Sequence, residues 1–139
     1  VSYVWRPDGL DARGLLSDAP PATLAVPGDE TERAALGYLH ANCSHCHNQS
    51  RPGRDVAPCM DPDNSMDFTL SIADLGSVEE TATYRTVVGD QVEPGDPASS
   101  ELVARAGTRD LFYRMPPLGS ERVDDAAIEL LERWIEEMR

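Results

Sequence analysis

Two cysteines and a histidine with the spacing Cys-x-x-Cys-His stand in the stretch YLHANCSHCHN, residues 38–48. They are Cys43, Cys46 and His47, and their closeness requires a fold that presents all three side chains at one place. Three kinds of site use cysteines at this spacing: thiol–disulfide catalysts, zinc centres and covalently bound haem. Each kind needs a different structure around the motif, so the neighbouring sequence distinguishes them.

The first two kinds of site fit the surrounding sequence poorly. A thioredoxin-like Cys-x-x-Cys pair lies where a strand meets a helix in a βαβ unit, whereas here a helical pattern precedes the motif and no parallel-sheet pattern surrounds it. A zinc centre would use Cys43, Cys46, His47 and the remaining Cys59 as four ligands. Adjacent Cys46 and His47 suit a tetrahedral ion poorly, and no second cysteine pair follows. A zinc-stabilised interaction module stays as an alternative.

Covalent haem c fits the motif and a second feature further along the chain. Two thiols separated by two residues reach the two vinyl groups of one porphyrin, and the histidine after the second thiol turns a ring nitrogen to the iron. Methionine is the usual second axial ligand in electron-carrying cytochromes, and Met115 is followed by Pro116 and Pro117. Because proline restricts the backbone, this loop can hold the flexible methionine in one place. We therefore expect one haem c bound by Cys43 and Cys46, with His47 and Met115 as axial ligands.

Helical patterns flank both parts of the candidate site. Asp29 and Glu32 have the spacing of a capping box, and the apolar face that follows predicts a helix leading into the motif. The pair Asp96–Pro97 predicts the start of a short helix that continues to about Ala106. At the end of the chain, one apolar stripe predicts a terminal helix through Ile128, Leu131, Trp134, Ile135 and Met138.

The segment between these helices is rich in proline and glycine. Residues 48–95 are predicted to be mostly loop, with a short hairpin around YRTVVGDQV. Residues 1–28 are predicted to form an N-terminal extension or wrapping arm. The expected architecture is one all-α domain over residues 29–139, which follows this arm and contains a long loop-rich insertion.

The chain resembles the class I c-type cytochromes of bacteria that carry one haem. The resemblance rests on residues 29–47 and about 96–139 and covers the middle poorly. In that family a small residue stands eight positions before the first cysteine, and a large apolar residue stands four before it. Ala35 and Leu39 hold these places here, although glycine and an aromatic residue are more usual, and Trp134 matches the family's terminal aromatic residue. The small residue and the large ring would allow the first and last helices to cross closely.

The resemblance implies a class I cytochrome c fold and an electron carrier rather than an enzyme. It also implies attachment of haem outside the cytoplasm, in the periplasm or another extracytoplasmic compartment. The sequence MPPLG before LLERWI is similar to cytochrome domains fused to larger bacterial dehydrogenases, so the electron partner is expected to be a redox protein or a fused dehydrogenase or oxidase domain. A haem enzyme or a gas-binding, peroxidase-like domain with a displaceable sixth ligand stays as an alternative.

Charge narrows the choice of partner. The chain has 139 residues and a formal net charge of −13, and all 12 of its basic residues are arginine. This balance argues against a nucleic-acid partner and favours a partner with a basic or apolar docking patch. No apolar run approaches the ~20 residues that a membrane-spanning helix requires, so no membrane span is expected.

Several residues are weaker candidates for roles around the haem. Within the family, a proline carbonyl after the motif accepts a hydrogen bond from the axial histidine, and Pro58 or Pro52 could supply it here. Other candidates are arginines for the haem propionates, rival methionine ligands, and a partial calcium loop that lacks its turn glycine and its final glutamate. These are Arg54, Arg85 and Arg114; Met60 and Met66; and Asp61, Asp63, Ser65 and Asp67. We expect the rival methionines to fill gaps in the core. Cys59 is expected to be a buried, inert thiol, with an exposed thiol that pairs with another chain or domain as the alternative.

Overall fold

The protein is all-α in the part that the computed structural model describes, residues 25–50 and 64–138. Its helices are α1 Glu30–Cys43, α2 Ala82–Val87, α3 Glu101–Gly107 and α4 Asp125–Glu137, with 3₁₀ turns at Ile72–Asp74 and Pro97–Ser99. Within these described ranges there is no strand, and only one isolated bridge joins Val88 and Val92. The predicted all-α class is confirmed. Residues 1–24, most of the predicted arm, lie outside the described residues.

Helix α1 begins at the predicted capping box. The Glu32 amide donates to Asp29 Oδ1 at 2.9 Å, and the Asp29 amide donates to Glu32 Oε2 at 2.7 Å. The helix buries Ala35, Leu36 and Leu39. The helix ends at Cys43, so the first residue of the Cys-x-x-Cys-His motif lies at the edge of the core.

Helix α4 packs against α1 and closes the core. Asp124 caps it by accepting a hydrogen bond from the Ala127 amide at 3.2 Å. Its buried residues are Ala127, Leu131, Trp134 and Ile135. Trp134 is 1% exposed and Ala35 is fully buried, and both residues belong to the same core cluster.

Two local predictions were wrong. The predicted hairpin is replaced by α2, because the Thr81 hydroxyl caps a helix by accepting from the Tyr84 amide at 3.3 Å. The chain then turns tightly, with the Gln91 amide donating to the Val87 carbonyl at 2.9 Å, so the valines of this segment never form paired strands.

The helix predicted from Asp96 to about Ala106 is divided at Ser100. Asp96 caps only the 3₁₀ turn, by accepting from the Ser99 amide at 3.1 Å. Ser100 is extended, and its hydroxyl accepts from the Glu93 amide at 2.9 Å. This tertiary hydrogen bond holds Ser100 out of the helix, and α3 begins at the next residue.

None of the helices in the described part of the chain is both long enough and apolar enough to cross a membrane.

Candidate cofactor site

One cavity collects the four residues that the sequence selects as haem ligands. Cys43, Cys46, His47 and Met115 line it together, although Met115 lies far from the motif in the chain. The empty space, including its mouth to solvent, measures about 1080 Å³. Its apolar wall is formed by Leu39, Met66, Phe68, Leu102, Ile128 and Leu131.

The turn after α1 sets the positions of the motif side chains. The Cys46 and His47 amides both donate to the Cys43 carbonyl, at 3.2 and 2.9 Å, so the chain continues in a compact turn. Cys43 is half-buried, Cys46 is exposed, and neither is in a disulfide. Burial, with a smaller contribution from Cys46, raises the pKa of Cys43 to about 11. Catalytic thiols have lowered pKa values, so this environment does not favour thiol–disulfide catalysis.

Phe68 holds the histidine of the motif from one side. The Phe68 amide donates to the His47 carbonyl at 3.0 Å, and the two rings meet edge to face with centroids 5.4 Å apart. Phe68 is only 2% exposed. The histidine is therefore held by both backbone and side-chain contacts with a segment that follows it by some twenty residues.

The loop that carries Met115 is attached to α3. The Met115 amide donates to the Arg105 carbonyl at 2.9 Å, and the Arg114 amide donates to the Asp110 carbonyl at 2.9 Å. The peptide bond between Met115 and Pro116 is cis. Ser120 closes the loop by donating its hydroxyl to the Pro116 carbonyl. The three hydrogen bonds fix the backbone of the loop on both sides of Met115.

A cluster of Glu101, Arg105 and Tyr113 joins the same loop to α3 through side chains. Arg105 Nε lies 2.7 Å from Glu101 Oε1, and its guanidinium lies 4.4 Å from the centre of the Tyr113 ring. The Tyr113 hydroxyl donates to the other Glu101 oxygen. This hydroxyl first, and Arg105 second, lower the pKa of Glu101. The cluster thus holds the chain two residues before Met115.

Met66 packs against the core cluster, as predicted, and it also forms part of the cavity wall. Met66 is half-buried and lines the cavity with Met115, so it is a second thioether in the same space. The sequence named Met66 only as a rival ligand; its place at the site follows from the contact between Phe68, two residues later, and His47.

The arginines that line the cavity differ from those that the sequence suggested. Arg85 instead lies 3.6 Å from Asp74 Oδ2, and Arg114 Nη2 donates to the Pro117 carbonyl at 3.2 Å. Neither residue lines the cavity, and Arg54 lies outside the described residues. The lining arginines are Arg105, Arg109 and Arg122.

Arg109 differs from the other two lining arginines in its hydrogen bonding. Its Nη2 donates to the Ala106 carbonyl at 2.6 Å. Its Nε and Nη1 atoms are buried and have no hydrogen-bond partner within the described residues. A buried donor without a partner costs about 1–3 kcal/mol, so these two atoms mark a place suited to an acceptor.

The remaining candidates fall away from the cavity or outside the described residues. Pro52, Pro58, Cys59, Met60, Asp61 and Asp63 lie outside, so the predictions on them stay predictions. Asp67 Oδ1 accepts from the Thr69 amide and hydroxyl, at 2.9 and 2.6 Å. Within residues 25–50 and 64–138, no group of three or more His, Cys, Asp or Glu side chains is arranged to hold a metal ion.

The surface beside Met115 is unusually apolar. Leu111, Phe112 and Leu118 are 72%, 98% and 84% exposed. The surrounding segment, residues 105–124, holds four arginines and three acidic residues, so it carries +1 in a chain of −13. The segment that carries Met115 therefore lacks the acidic excess of the whole chain.

Comparison of the chain with protein-family models, with curated protein sequences and with solved structures gave no match.

Proposed function

We propose that the chain is a class I cytochrome c domain that carries one electron at a time through a single covalent haem c. Cys43 and Cys46 would form the thioethers, and His47 and Met115 would be the axial ligands. The observation that carries this proposal is the convergence of these four side chains on one cavity. Two thiols, an imidazole and a thioether are the donor set that this cofactor requires.

The chemistry of electron transfer would come from the iron, whose one-electron couple is the property that haem supplies. The protein supplies ligands and an apolar surrounding. Leu39, Phe68 and Leu131 are each at most 2% exposed and line the same cavity as His47 and Met115, so they give the site an apolar wall. A low-dielectric wall favours the less charged, reduced state of the iron.

We infer that the domain works in the periplasm or another extracytoplasmic compartment, in line with the family resemblance. Its partner would be a redox protein or a fused dehydrogenase or oxidase domain. The exposed Leu111, Phe112 and Leu118, in the segment that carries Met115, support an apolar docking patch on that partner. The net charge of −13 supports basic residues around the patch.

One observation favours a second function for the same haem. Met66 reaches the cavity as well, so the sixth position could be exchanged between two methionines or left open. A haem with a displaceable ligand binds small gases or reduces peroxide. The identity of the sixth ligand thus separates a carrier from a gas-binding or peroxidase-like domain.

Paired substitutions of the two methionines test the carrier function. Met115→Leu should abolish the weak near-infrared band of methionine-ligated ferric haem and allow carbon monoxide to bind the reduced protein. Met66→Leu is the matched control, because it removes a thioether from the same cavity and should leave both properties unchanged. The opposite pattern would assign the sixth position to Met66, and carbon monoxide binding by the wild-type protein would favour the gas-binding alternative.

A further inference from the structure

Arg109 presents two buried nitrogen atoms without acceptors beside the candidate haem ligands. The residue is half-buried and lines the cavity with His47 and Met115. Its Nη2 bond to the Ala106 carbonyl, at 2.6 Å, fixes the guanidinium against the end of α3. Nε and Nη1 have no hydrogen-bond partner among the described residues. From this arrangement we infer that Arg109 binds the carboxylate of a haem propionate.

The other arginines of the cavity do not have this property. Arg105 is already paired with Glu101 at 2.7 Å and lies against the Tyr113 ring. Arg122 is exposed, so water satisfies its guanidinium without a ligand. Arg109 alone among the three combines burial of its donors with a position in the cavity wall. The acceptor is expected to be an anion, because a buried guanidinium is stabilised most by a negatively charged group that accepts its hydrogen bonds.

Among the described residues, no protein group supplies that anion to Arg109. Asp124 is the one carboxylate that the described part of the chain contributes to the cavity lining, but it is exposed and accepts from the Ala127 amide at 3.2 Å. Tyr38 also lines the cavity, and its pKa is raised by burial first and by Asp124 second, while Arg109 opposes the shift. Tyr38 is therefore a neutral phenol at pH 7. The two propionate carboxylates of haem are acceptors of the required charge, so the inference rests on the proposed function.

The experiment compares the haem-loaded wild-type protein with Arg109→Gln, Arg109→Lys and Arg122→Gln. Arg122→Gln is the matched control, because it also removes one positive charge from the cavity lining but from an exposed position. Retention of haem colour on a denaturing gel is checked first for each protein. A wild-type protein without covalent haem would refute the proposed function, independently of any role for Arg109.

The first readout is the midpoint potential of the haem, measured from about pH 5 to about pH 9. This range covers the upper part of ordinary carboxyl titrations and the titration of histidine. Arg109 keeps an adjacent propionate ionised, so its removal should let that group take up a proton near the lower end of this range. At low pH the Arg109→Gln protein then resembles wild type. As the pH rises, the propionate loses its proton and the potential falls below that of wild type, so the gap between the two proteins widens.

The second readout is the propionate bending band in the resonance Raman spectrum, which responds to hydrogen bonds on the carboxylates. The band should shift in Arg109→Gln, shift less in Arg109→Lys, which keeps the charge but loses the planar fork, and stay in place in Arg122→Gln. If the difference in midpoint potential between wild type and Arg109→Gln did not change with pH, Arg109 would act only as a distant charge. That result, or a Raman band unchanged in both Arg109 variants, would overturn the inference.

Discussion

Trp134 offers a quantitative test of how α1 and α4 pack beside the site. The indole is 1% exposed in the core cluster that also contains Ala35, and its Nε1 is buried without a hydrogen-bond partner among the described residues. Trp134→Ala removes the whole ring and should cost about 3–5 kcal/mol. Trp134→Phe keeps an aromatic ring and removes only part of the indole, so its packing loss should be smaller than that of the alanine variant. The phenylalanine also removes the unsatisfied indole N–H, and this should offset the packing loss by about 1–3 kcal/mol of unfolding free energy.

The two substitutions should therefore differ sharply in thermal unfolding of the haem-loaded protein. Trp134→Phe should unfold within a few degrees of wild type, and Trp134→Ala should unfold lower by something on the order of 10 °C. Leu118→Ala, at a side chain that is 84% exposed, controls for substitution of an apolar residue as such. If Trp134→Phe were as unstable as Trp134→Ala, the indole N–H would have to make a hydrogen bond in the loaded protein, and the packing argument would fail.

Two further predictions concern the Met115 loop and the surface charge. Tyr113→Phe should raise the pKa of Glu101 towards its ordinary 4.5 and make the variant less stable than wild type above pH 4.5. Because the pKa of Glu101 is lowered in the folded wild type, this difference in stability should vanish as the pH falls through the lowered pKa. Urea unfolding from pH 3 to pH 7, chosen to span roughly the carboxyl range, measures this, and a difference that persists at the lowest pH would contradict it. Because the chain carries −13, electron exchange with a small basic redox protein should slow as salt rises, over a screening length of ~8–10 Å near physiological salt. Stopped-flow rates that are faster with a matched acidic protein at low salt would show that the +1 segment around the cavity governs docking.

The sequence predicted the parts of the fold that local interactions determine. The capping box of Asp29 and Glu32 formed as expected, and the apolar stripe of the last helix buried Leu131, Trp134 and Ile135. These features depend on neighbours within a few residues, so their pattern is visible in the chain.

Several features that the sequence did not predict depend on contacts beyond the immediate neighbours in the chain. Ser100 separates the 3₁₀ turn from α3 because its hydroxyl accepts a hydrogen bond from the Glu93 amide, and the helical pattern of the sequence does not predict that bond. Met66 and Arg109 reach the cavity because the segment around Phe68 and the end of α3 fold onto the motif. Composition and spacing could select Cys43 and His47 from the sequence, whereas the residues around them required the tertiary structure.

Covalent attachment of haem is the central claim, and the intact mass of the denatured polypeptide tests it most directly. The chain, exported to the periplasm of bacteria with an active c-type maturation system, should carry the added mass of one haem and keep its colour in acid acetone. Cys43→Ser with Cys46→Ser should return the mass to that of the bare polypeptide. A wild-type mass without haem, or with zinc bound before denaturation in its place, would contradict the account.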